Sequence, residues 1–157
     1  MTSRGMTIRE TTSRVYSKVW QMCALAGFLC GREAARVMVP RGSGSIFFTG
    51  ATASMRGGSG YAAFAGGKFA LRALAQSMAR ELGPQNIHVA HLVIDAAVDT
   101  EWVRRMLRER RGIDPDELPP DTLMQPRSVA EAYWTLHHQP RDAWTFELDL
   151  RPFAERW

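Results

Sequence analysis

Residues 45–94 read SIFFTGATASMRGGSGYAAFAGGKFALRALAQSMARELGPQNIHVAHLVI, and this stretch decides the fold. Ser45 to Thr49 is a short continuous apolar run, and Ile87 to Ile94 is a second one. Runs of that length without polar alternation suit strands covered on both faces, as in a parallel sheet. Between them lies a loop of small residues, Gly50 to Gly60, then a helical pattern from Gly60 to Leu82 that Gly83 and Pro84 stop. Strand, helix and strand in this order make a right-handed parallel crossover unit.

Outward from this unit the same grammar continues. Upstream, Thr11 and Thr12 can cap a helix in which Val15, Val19, Met22, Ala26 and Leu29 recur at helical spacing. The pattern extends over 11–39, and Pro40 and Gly42 end it. Downstream come a charged helix over 101–111 and a proline-rich surface connection over 112–125. A helix over 127–137, with Pro126 near its start, and a third strand over 144–150 complete the order. The expectation is a single α/β domain over 1–157, with a short parallel sheet of about three strands, flanking helices and one exposed sheet edge.

Composition excludes several classes. The 157 residues are 45% hydrophobic and 23% charged, which is ordinary for a globular domain. The net charge of +4 is mild. Its one dense run, Arg104, Arg105, Arg108, Arg110 and Arg111, is interleaved with Glu101 and Glu109 and reads as a solvated helix face, not a nucleic-acid surface. No apolar run is long enough for a membrane span and no signal peptide is visible, so a cytoplasmic location is expected. Cys23 and Cys30 stand two helical turns apart, about 10 Å, too far for a disulfide, and read as reduced packing residues. The histidines have no metal-ligand spacing: His88 and His91 fall on opposite faces of one strand, and His137 and His138 are adjacent.

Several segments together carry a family resemblance. Ala26-Gly27-Phe28, Arg32-Glu33-Ala34-Ala35 and Gly42-Ser43-Gly44-Ser45-Ile46 form one group. Lys68-Phe69-Ala70-Leu71 with Glu81-Leu82-Gly83 and Ile87-His88-Val89 form another, and Ile94 to Thr100 a third. In this order they resemble the C-terminal, substrate-side part of the short-chain dehydrogenases/reductases, over roughly residues 10–150. The resemblance implies a partial Rossmann-like, doubly wound fold. The implied chemistry is NAD- or NADP-dependent: carbonyl or enoyl reduction, or alcohol oxidation. The glycine-rich cofactor turn that opens this fold is not found among these residues, so dinucleotide binding by the chain alone is doubtful. Gly58-Ser59-Gly60-Tyr61-Ala62-Ala63 fits the G-x-G-x-x-A pattern, but it lies well after the strand, and Glu81 is wrongly placed for a ribose partner.

Residue by residue, the family's roles transfer incompletely. Its lysine falls on Lys68, whereas its tyrosine, serine and asparagine fall on Phe64, Ala51 and Cys23. Phe64 has no hydroxyl to transfer a proton and Ala51 cannot donate a hydrogen bond, so only one of the four roles keeps its residue type. Tyr61, seven residues before Lys68, is similar in spacing to the tyrosine of the enoyl-acyl-carrier-protein reductases. In that reading Tyr61 stabilises a developing enolate oxygen and Lys68 holds the cofactor ribose. The alternatives are an aromatic packing at the helix start and a surface lysine. Thr100 resembles the threonine that contacts the nicotinamide carboxamide, and equally suits a helix N-cap. Asp95 stands where the family often has proline and shows no basic partner in the sequence. Trp102, Met106 and Leu107 suit either a substrate lining or core packing. Gly66 and Gly67 inside a helix ask for a close approach of another backbone or a ligand. The resemblance also implies a homo-oligomer built through the 11–39 and 60–82 helices, and a second reading in which a truncated, non-catalytic relative works by that association.

Overall fold

The computed structural model describes residues 5–155. Three parallel strands form one sheet in the order β1-β2-β3. They are β1 (Gly44–Thr49), β2 (Ile87–Ile94) and β3 (Glu147–Leu150). Every residue of β2 is buried. Its odd positions Ile87 and Val89 join Ile46, Phe48, Leu71, Ala75, Met78 and Leu82 on one face. Its even positions Ala90, Leu92 and Ile94 join Met124 and Leu136 on the other. That two-sided burial is why the strand sequence shows no polar alternation. β1 pairs on one side with β2, and its other edge has no partner strand among the described residues.

The first long helix lies where expected but contains a π turn and ends at Arg41, beyond the expected Val39. Thr12 caps α1 (Ser13–Trp20) by accepting the Val15 N–H at 3.2 Å. A π-helical turn, Gln21–Leu25, follows and leads into α2 (Ala26–Arg41), which ends at Gly42 with φ +70°. The helix therefore passes through Pro40, in its last turn, and the left-handed glycine terminates it. Next come α3 (Ala62–Leu82), α4 (Glu101–Arg111) and α5 (Pro126–His137).

The glycine pair in α3 is explained by α1 and the π turn. A Cβ on Gly67 would lie 3.0 Å from Cys23 Cβ and 3.4 Å from the Val19 carbonyl oxygen. A Cβ on Gly66 would meet the Tyr16 hydroxyl at 2.5 Å. Close helix–helix approach, not a ligand, accounts for both glycines.

Three expectations are corrected. β3 begins at Glu147 and not at Trp144, because Gln139 takes the preceding backbone: its side chain accepts the Thr145 N–H and donates to the Thr145 hydroxyl, both at 2.8 Å. The 112–125 connection is not merely a surface loop: Pro115 and Met124 are buried, and Val98 bridges to Met124 in parallel. Cys30 is exposed, and only Cys23 packs between helices. The arginine-rich helix is solvated as expected, with Arg105, Arg108, Arg110 and Arg111 exposed, and aspartates outside it hold two of its arginines. Arg104 pairs with Asp99 at 2.5 Å and Asp116 at 2.6 Å, and Arg108 with Asp116 at 2.8 Å. Among the described residues, no helix is long and apolar enough to cross a membrane and no group of residues could hold a metal ion.

Candidate functional site

Parallel α/β sheets place their ligand sites beyond the carboxyl ends of the strands, where loops diverge. A cavity of about 550 Å³ opens there. The loop after β1 supplies Ala51, Thr52 and Arg56, and the start of α3 supplies Tyr61 and Phe64. The end of β2 supplies Ile94, Asp95 and Ala96, and α4 supplies Met106 and Leu107. Met106 and Leu107 thus line this cavity, whereas Trp102 stays 48% exposed.

Lys68 belongs to a different opening. Its ammonium donates to the Thr49 carbonyl at 2.8 Å, at the carboxyl end of β1, and lies 5.8 Å from the centre of the Phe64 ring. It lines a second groove of about 460 Å³ with Met22, Cys23, Gly27 and Phe47, along the unpaired side of β1. The positions matched to the family's chemistry are therefore divided. Ala51, Tyr61 and Phe64 line the first cavity, and Cys23 and Lys68 line the second. Phe64 lines the first cavity, and its ring centre stands 5.8 Å from the Lys68 ammonium.

Tyr61 occupies the N-cap position of α3 and accepts the Ala65 N–H on its backbone carbonyl at 2.8 Å. Thr100 is the N-cap of α4, its hydroxyl accepting the Val103 N–H at 3.3 Å, and it lines neither cavity. The Gly58-x-Gly60 motif follows a 3₁₀ turn, Thr52–Ser54, instead of a strand. The Gly60 carbonyl is taken by the Gly5 N–H at 3.0 Å, and a Cβ on Gly60 would sit 3.0 Å from Gly5 Cα. It forms no pyrophosphate cradle.

Two polar groupings lay beyond sequence reasoning. Asp95, 3% exposed, is partnered after all: Thr52 donates its hydroxyl hydrogen to Oδ1, and Arg151 Nη2 stands 3.3 Å from Oδ2. Its partners are 43 and 56 positions away along the chain, so no local pattern could disclose them. The neighbouring Ser54 is also committed, its hydroxyl accepting the Ala51 N–H at 3.1 Å.

The second grouping joins α3, β2 and β3. Arg72 grips Glu147 with two bonds, Nε to Oε2 at 2.6 Å and Nη2 to Oε1 at 2.7 Å, and His91 Nδ1 meets Oε2 at 3.0 Å. The Arg72 hydrogen bond holds the Glu147 carboxyl below its ordinary range, against some desolvation. His91 is completely buried, and burial pushes its imidazole below the usual range although Glu147 pulls the other way. The neutral ring then carries its hydrogen on Nδ1, and Nε2 has no hydrogen-bond partner among the described residues.

A family model described as enoyl-(acyl carrier protein) reductase matches residues 1–145. The chain is 38% identical to secoisolariciresinol dehydrogenase from Forsythia intermedia over 74 residues, 47% of this chain and 27% of that protein. It is 52% identical to a crystal structure of a short-chain dehydrogenase from Rhodopseudomonas palustris (TM-score 0.74), covering 95% of this chain and 57% of that one. The fold is shared with 4-hydroxyisoleucine dehydrogenase complexed with NADH (TM-score 0.74, 21% identity, 94% of this chain and 62% of that one). The chain thus spans little more than a quarter of the curated relative and just over half of the solved one.

Proposed function

Because this chain belongs to the short-chain dehydrogenase/reductase family, we propose that it supplies the substrate-side wall of an NAD(P)-dependent oxidoreductase acting on a carbonyl, enoyl or alcohol group, and that it is impaired or inactive alone. The observation that carries this reading is the division of the site. A cavity at the carboxyl ends of β1 and β2 holds Tyr61, while Lys68 faces a separate groove along the unpaired edge of β1.

The described residues fit only part of a dinucleotide. In this reading Lys68, whose ammonium donates to the Thr49 carbonyl, would hold a ribose hydroxyl, and Thr100 is the second candidate contact. The glycine motif at 58–60 offers no seat for the pyrophosphate. The bound cofactor would supply or take the hydride. In this reading the Tyr61 phenol hydrogen-bonds the substrate oxygen on which charge develops, and Phe64 keeps water from the space between phenol and ammonium. The two free cysteines suit a reducing, cytoplasmic setting.

Titrating NADH or NADPH into the chain while following tryptophan fluorescence tests the proposal. The expected result is no saturable response at micromolar cofactor. Saturation in that range would mean that the groove beside Lys68 holds the dinucleotide unaided, and would overturn the claim of impairment.

A second reading is favoured by the outer helix surface. Tyr16, Trp20, Phe28 and Leu29 on the first long helix and Phe69 on α3 are all exposed. A second copy of this chain packed on these helices would remove that apolar area from water. Light scattering on a size-exclusion column should then report a dimer or larger assembly. A monodisperse monomer at high concentration would count against association.

A further inference from the structure

Asp95 and Thr52 give the first cavity a hydrogen-bonding polarity. Both residues line it, and the Asp95 side chain is only 5% exposed. A threonine hydroxyl has one hydrogen to donate and two lone pairs to accept with. The Thr52 hydrogen is committed to Asp95 Oδ1. What Thr52 presents to the cavity is therefore lone pairs alone. The carboxylate itself only accepts, and its one cationic neighbour within 4 Å among the described residues, Arg151, is more closely engaged elsewhere: Arg151 Nη2 is 2.6 Å from Asp149 but 3.3 Å from Asp95. The cationic lining residues Arg56 and Arg111 are exposed to solvent, so they do not offset an acceptor pair set in the buried wall.

We infer that Thr52 and Asp95 form a specificity-determining subsite that accepts a hydrogen bond from the ligand, so that the cavity takes molecules bearing a hydroxyl group in preference to the matching carbonyl compounds. A carbonyl oxygen set against this wall would face lone pairs and lose its own hydration without return. A hydroxyl can donate to Thr52 Oγ1 and still accept with its own oxygen. The inference rests on the first cavity being the substrate site, as proposed above, and adds which oxygen chemistry it reads. Asp95 acts here through Thr52 as a positioning residue, by fixing the direction of the threonine hydrogen.

Cyclohexanol and cyclohexanone, matched in ring and size, test it on the complete 157-residue chain. Binding is read from the backbone amide NMR shifts of Ala51, Ala96 and Ala97, which line the cavity. The expected result is a Kd for the alcohol about tenfold below that for the ketone, the scale of one hydrogen bond gained in place of one unmet. Thr52→Val should abolish the preference, and Thr52→Ser should retain it. Asp95→Asn should reverse it, because the amide can donate to Thr52 and turn the threonine hydrogen towards the cavity. Dispersed spectra and a cooperative melt for each variant separate these effects from loss of folding. Equal affinity for the two probes, tighter ketone binding, or an unchanged preference in Asp95→Asn overturns the inference and leaves the cavity assignment standing. Failure of both probes to shift those amides removes the assignment and the inference together.

Discussion

Replacing Glu147 with alanine lowers the unfolding free energy by about 3 kcal/mol, the largest loss expected from any single polar residue in this fold. Glu147 is the one acid bound by both Arg72 and His91, and it ties β3 to α3 and β2 in a single node. Arg72 and Glu147 are 28% and 23% exposed, so the value sits at the lower end of the range for breaking a buried pair. The alanine variant leaves a half-buried guanidinium and a fully buried imidazole without an acceptor. Urea denaturation of wild type, Glu147→Ala, Arg72→Ala and the double variant measures this. The double variant should cost clearly less than the sum of the singles. A loss below about 1 kcal/mol for Glu147→Ala would show that β3 is held by its backbone ladder alone.

The same node makes stability fall in acid. The folded pKa of His91 is depressed, so the unfolded chain binds its proton first as pH falls. The imidazole's contribution is complete above its unfolded value of about 6.5 and is lost as pH drops towards the folded value. Glu147, also depressed, adds a second loss as pH falls below its unfolded value near 4.3. The melting temperature should therefore be level above about pH 7 and decline in two stages below it. Thermal melts of wild type and His91→Gln separate the stages, since the variant should lose the upper one only.

Gly67→Leu is the second large effect, a loss of about 2–3 kcal/mol despite leucine's better helix propensity. A Cβ at this position already presses on Cys23 Cβ and on the Val19 carbonyl, and the latter, being backbone, has little freedom to move. The longer side chain would force α1 and the π turn away from α3. Gly66→Ala is the matched comparison. Its Cβ meets only the Tyr16 side chain, at the hydroxyl and the ring edge of an exposed residue, and replacing a helical glycine recovers up to about 1 kcal/mol. Its net change should stay within about 1 kcal/mol of wild type. Equal tolerance at both positions would mean that α1 is not packed tightly on α3.

The sequence by itself determined the order of elements and the family. Ile87 to Ile94 has no polar alternation because both faces are buried, and that property is written locally as a run of apolar residues. Thr12, Thr100 and Gly42 fix helix ends through bonds and dihedrals within a few positions, so those boundaries could be read directly. The tertiary structure alone decided which polar groups meet. Asp95 found Arg151, and Arg72 found Glu147 75 positions away. It also parted Tyr61 from Lys68, which share a helix face by spacing yet line different cavities. Periodicity records only which face of an element is apolar. The partner of a buried charge is chosen by chain crossovers, which bring together residues whose separation in sequence carries no pattern.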